Sequence, residues 1–111
     1  MMLAISLSKY NRQYIVLLPP VKNNLVEEGI FVRLMYSTNN VAFNGLFIYI
    51  LHETTQDISV IERDILQLYK TTKLPIYSVE RHVIRSPKSV LKISGIWEND
   101  THYGLVYKCI D

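Results

Sequence analysis

His52 and Glu53 stand side by side like the first half of a helical zinc-protease motif. That chemistry needs a second histidine one helical turn later, so that two imidazoles meet one metal. Gln56 occupies that place. Cys109 and His102 are a conceivable nucleophile and base. Their separation is odd, however, and a strand sends such residues to opposite faces. Glu27 with Glu28, and Glu62 with Asp64, are too close in sequence to aim two carboxylates into one site, and they read as solvated surface. His52, His82 and His102 lie far apart, which suggests no metal site. The glycines Gly29, Gly45, Gly95 and Gly104 form no phosphate-cradling loop, and no G-x-S-x-G elbow is present. The expectation is a protein that is not an enzyme and uses no cofactor or metal.

The residues are better suited to holding an anion. Lys70, Lys73, Arg81, Arg85, Lys88 and Lys92 make up six of the twelve Lys and Arg, and within that stretch only Glu80 opposes them. Single-stranded nucleic acid is held by cations interleaved with rings on which bases stack. The chain has eight Tyr, three Phe and one Trp. Arg81, Arg85, Lys88, Lys92 and Lys108 are the candidate phosphate contacts, with His102 beside them. Tyr77 and Tyr14 are the candidate stacking rings. The competing reading is that these charges keep a small sheet soluble and guard its edges.

Hydropathy periods outline the elements that must position these residues. Leu3–Leu7 and Gln13–Leu18 read as strands, the second stopped by Pro19-Pro20. Ile30–Tyr36 alternates, with Phe31, Arg33 and Met35 opposite Ile30, Val32, Leu34 and Tyr36. Leu46–Leu51 is apolar on both faces, and Phe47 and Tyr49 read as core or edge packing. The period then lengthens. Ile58, Ile61, Ile65 and Leu68 predict an amphipathic helix over about Asp57–Thr71, with Thr54 or Asp57 to cap it and Pro75 beyond its end. Residues 74–89 read as a basic connector. A closing hairpin spans Val90–Ile110 around a loop at Glu98, Asn99 and Asp100. That loop pairs Trp97 with Thr101 and Gly95 with Tyr103. It puts Leu91, Ile93, Trp97, Tyr103, Leu105 and Tyr107 in the core, and Lys92, Ser94, His102, Gly104 and Lys108 on the other face.

The fold class is therefore α+β. We expect a mostly antiparallel sheet or OB-like barrel, one helix and a C-terminal hairpin, in a single domain over residues 1–111. Formal net charge is +2, too small to name a partner by itself. A lone cysteine implies no disulfide scaffold. The first residues carry no signal-peptide pattern, and no apolar run has the length of a membrane helix. An intracellular chain with no membrane partner is expected, so the sequon Asn99-Asp100-Thr101 reads as turn chemistry.

The segment Leu91-Lys92-Ile93-Ser94-Gly95-Ile96-Trp97-Glu98, with Tyr103-Gly104-Leu105-Val106-Tyr107-Lys108 after it, resembles a closing segment of small proteins of nucleocytoplasmic large DNA viruses, asfarvirus-like. Some of those are OB-fold single-stranded DNA-binding proteins and others are uncharacterised. The resemblance implies a viral protein in the host cytoplasm and adds to the nucleic-acid reading, although this chain is short for such binders. The alternative is an interaction module, a homodimer or virus–host adaptor. Strands apolar on both faces motivate it, because both faces need covering.

Overall fold

The computed structural model describes residues 4–23, 29–50 and 55–111. Strands β1 (Ile15–Leu17), β2 (Val21–Asn23), β3 (Gly29–Ser37), β4 (Ala42–Phe43) and β5 (Leu46–Tyr49) come first. Helix α1 (Thr55–Leu68), strand β6 (Leu74–Pro75) and helix α2 (Val79–Arg85) follow, and β7 (Val90–Glu98) and β8 (His102–Ile110) close the chain. The class is α+β, with a curled, open sheet in the form of a half-barrel, compatible with an OB-like barrel. The sheet is mixed. Its hairpins are antiparallel, but β6 lies parallel to β8, and Ile5 forms an isolated parallel bridge to Ile48. Among the described residues, no helix is long and apolar enough to cross a membrane.

The curl has a local origin in β7. One edge of β7 runs the length of β8. The other edge pairs with β5 over Val90–Ile93 and with β3 over Gly95–Glu98. Two neighbours sharing one edge must diverge, and β7 accommodates this with a β-bulge at Ser94, between Ile93 and Gly95. The facing chain bends at the same level. Residues 42–43 pair with β3, residues 46–49 pair with β7, and Gly45 between them has φ +113°. That left-handed backbone suits glycine, and a Cβ there would sit 3.1 Å from the Ile93 carbonyl oxygen.

One face of the sheet makes the core. Val32, Leu34, Ile48, Leu91, Ile93, Ile96 and Leu105 meet Ile58, Ile61, Ile65 and Leu66 of α1 and Val79 and Val83 of α2. Each such side chain contributes about 1.5–3 kcal/mol by leaving water.

The expected N-terminal strand is reduced to the Ile5 bridge, and its Leu3 lies outside the described residues. After the bridge the chain turns into a 3₁₀ segment at Leu7–Lys9. The next expected strand begins only at Ile15, because the Asn11 side chain accepts from the Gln13 N–H and holds Arg12–Tyr14 in another 3₁₀ turn. Helix α1 stops before Thr71, whose hydroxyl turns to Glu98. Thr54, the possible cap, and Leu51, the expected end of a strand, lie outside the described residues.

The connector contains a second helix, so the expectation of one helix is corrected. Helix α2 is capped from elsewhere in the chain. The carboxylate of Glu62, on α1, accepts from the backbone N–H groups of Ser78 (3.0 Å) and Val79 (3.3 Å). The helix start and the acid that satisfies it are distant in sequence, so no local pattern announces the helix.

The hairpin register also differs from expectation. Glu98 pairs with Tyr103, Trp97 with Gly104, Ile96 with Leu105 and Gly95 with Val106. The Asn99 side chain accepts from the N–H groups of Thr101 and His102 and sets the turn. Beyond the Ser94 bulge the faces of β7 exchange. Ile96 enters the core, and Trp97 leaves it for the opposite face.

Candidate nucleic-acid interface

The other face of the sheet is not covered by α1 or α2. Alternation and register assign its residues. Strand β3 presents Phe31 and Arg33, which pair with Trp97 and Gly95 of β7. Strand β5 presents Phe47 and Tyr49, which pair with Lys92 and Val90. Strand β8 presents Gly104, Val106 and Lys108, opposite Trp97, Gly95 and Lys92. Four aromatic rings and three cations therefore share one surface. Among the described residues, no strand position on this face carries a carboxylate.

Two of the rings lie over glycines. A Cβ on Gly95 would come within 2.9 Å of the Phe31 ring and 2.1 Å of the Val32 carbonyl oxygen. A Cβ on Gly104 would meet the Trp97 indole at 3.0 Å. A ring can cover the bare backbone of a strand glycine, and the expected pairing set Tyr103 opposite Gly95. The bulge substitutes Phe31 there and gives Gly104 to Trp97. Bare backbone lets each ring settle onto the sheet. Both side chains remain half-buried, and Tyr49 is 48% exposed.

The cations are held loosely. The Lys92 ammonium sits 5.6 Å from the Phe47 ring centroid, a cation–π contact. The Arg33 guanidinium donates to the Asn44 side-chain oxygen at 3.0 Å. Lys108 is exposed.

The structure brings together only some of the residues singled out from sequence. Lys92 and Lys108 pair directly across the hairpin. His102 shares their face but lies at the far end of β8, about 20 Å away at strand rise, with its Nδ1 against the Thr101 hydroxyl. Lys88 stands at the same end as Lys92 and Lys108, ion-paired to Asp111 at 3.0 Å. Arg81 and Arg85 are exposed on α2. Tyr77 is not beside them on the sheet. Its ring carries the Arg63 guanidinium of α1 at 5.5 Å. Tyr14 packs edge-on to Tyr36 against the core side.

Phe31, Arg33, Phe47, Tyr49 and Trp97 were not expected at the site. The alternation of Phe31, Arg33 and Met35 signalled an aromatic and basic face on β3, but not whether that face was buried. His52 and Glu53 lie outside the described residues. Among the described residues, no group of three His, Cys, Asp or Glu could hold a metal ion.

A polar cluster lies on the core side of the sheet, where α2 meets β8. The Tyr107 hydroxyl contacts Ser78 Oγ at 2.9 Å and His82 Nδ1. Burial pushes the Tyr107 phenol above its ordinary range. No family model, curated protein or solved structure matches the chain.

Proposed function

We propose that this chain is a small, non-enzymatic protein that binds single-stranded nucleic acid across the open face of its curled sheet. One observation carries the reading. Phe31, Phe47, Tyr49 and Trp97 are interleaved with Arg33, Lys92 and Lys108 on a face whose described strand positions bear no carboxylate. Bases would stack on Trp97 and Phe31, and phosphates would meet the three cations. Such stacking is worth about 1–3 kcal/mol per base and tolerates any sequence. Arg81, Arg85 and Lys88 would extend the positive field, while Tyr14 and Tyr77 take no part. The resemblance of the hairpin to viral proteins supports the same reading, with the host cytoplasm as the setting.

Fluorescence anisotropy with a labelled oligothymidylate at two salt concentrations tests it. Three neutralised phosphates predict a log–log salt slope of about −2. No binding at low salt would sink the proposal. A second reading uses the same face as a homodimer contact, supported by Val16 (43% exposed), Val21 (56%) and Tyr49 beside the rings. Light scattering separates the two, since a monomer at high concentration rules out the dimer.

A further inference from the structure

The free edge of β8 has its own chemistry. The carbonyls of Thr101 and Tyr103 point toward the β6 side and accept from Leu74 and Ile76 at 3.1 and 2.8 Å. Successive backbone groups in a strand alternate in direction, so those of Leu105, Tyr107 and Cys109 point the same way. Strand β6 ends at Pro75, and beyond Tyr103 these groups meet no partner among the described residues. They open into a groove of about 610 Å³. His82 of α2, with Ser78 and Ser86 flanking the helix, forms one wall of the groove, and Trp97 and Lys108 line it on the sheet side. No carboxylate lines it, and Arg85 stands one turn from His82 on the exposed side of α2.

We infer that this groove takes an acidic, extended peptide, which adds as a strand to β8 and lies between it and α2. Unpaired donors and acceptors at alternate residues supply the main-chain recognition. Lys108, on the open-face side of the added strand beside Val106 and Trp97, selects for carboxylates, and His82 meets the strand from the α2 side. A second copy of this chain fits less well, because pairing its own β8 would bring a second α2 to the space that the first already borders. An extended peptide carries nothing there. The inference does not rest on the nucleic-acid reading, although the two surfaces share Lys108 and Trp97.

The test uses the full chain labelled with ¹⁵N and a capped heptapeptide of alternating valine and glutamate. Two control peptides replace glutamate by lysine or N-methylate alternate amides. We expect hydrogen exchange at Leu105, Tyr107 and Cys109 to slow at least tenfold with the acidic peptide and to stay unchanged with both controls. Lys108→Glu, at an exposed position, is expected to weaken binding about tenfold, the scale of one charge-assisted contact. Unchanged exchange with millimolar acidic peptide overturns the inference, and so does equal protection by the lysine peptide. Protection that rises with protein concentration alone, together with doubled mass by light scattering, overturns it in favour of a second copy. Loss of oligothymidylate binding with peptide protection intact would defeat only the nucleic-acid reading.

Discussion

The two faces of the sheet differ in what has been done with the same residue types. On the core face, Val32, Leu34, Ile48, Leu91, Ile93 and Ile96 are at most 1% exposed. Large aliphatic side chains there meet two helices. On the open face the large residues are aromatic, they are only half covered, and cations alternate with them. Aliphatic burial gains most when water is excluded completely. Rings settled over glycines can stay stable while leaving surface for a ligand. The Ser94 bulge is the device that sorts the residues of β7 between these faces.

Inserting one alanine between Gly95 and Ile96 should have the largest effect. The bulge at Ser94 already takes up one extra residue, and a second one beyond Gly95 slips the alternation of β7, which drives Trp97 inward and Ile96 outward. We expect loss of the cooperative unfolding transition followed by circular dichroism. An insertion variant that unfolds like the parent would break the distinction between the faces.

Paired truncations sharpen it. Ile93→Ala on the core face should cost about 2–5 kcal/mol in urea denaturation, from lost burial plus a cavity. It should leave the affinity of the folded protein for oligothymidylate little changed. Trp97→Ala should do the reverse and weaken binding by about 1–3 kcal/mol, most of it from lost stacking. Trp97 is the only tryptophan, so stacking should also quench the intrinsic fluorescence of the parent.

Two carboxylates beneath the sheet make a finer contrast. Glu62 is buried, and that burial raises its pKa even though the Ser78 and Val79 N–H groups and nearby arginines oppose the rise. Burial also acts on Glu98, but hydrogen bonds from Thr71 and Tyr69, with Lys73 nearby, bring its pKa below the ordinary 4.5. The Tyr69 phenol is correspondingly pushed up to about 12, by burial first and then by Glu98. The signs follow from proton linkage. A lowered carboxylate gives stability that is present above pH 4.5 and lost as pH falls through its folded pKa. A raised one makes stability decline as pH climbs from 4.5 through its folded pKa. Urea midpoints measured from pH 3 to 7 should therefore lose part of their acid limb in Glu98→Gln. In Glu62→Gln, part of the decline on the higher side should disappear. Removing the cap outright in Glu62→Ala should cost about 1–3 kcal/mol by leaving buried N–H groups unpaired.

The smallest effect belongs to single cations. Lys92→Gln should reduce the salt slope of oligothymidylate binding by about 0.7 and leave the urea midpoint nearly unchanged. An unaltered slope would remove Lys92 from the phosphate contacts.

Much of the fold was legible in the chain. The three- and four-residue spacing from Ile58 to Leu68 gave α1, alternation gave β3, and the polar break at Asn99 gave the final hairpin. Helix α2 was not legible, because its cap comes from Glu62 on another element. The site was legible in part. Lys92 and Lys108 could be placed on one face by parity alone, because they lie on the same side of the bulge and pair directly. Trp97 could not, since a bulge is a response to two neighbours competing for one edge, and that competition exists only once β3 and β5 have docked on β7. Local periods thus determined which segments became strands or helix. The tertiary pairing decided which aromatic rings face the core and which face outward, because a one-residue irregularity reverses every side chain beyond it.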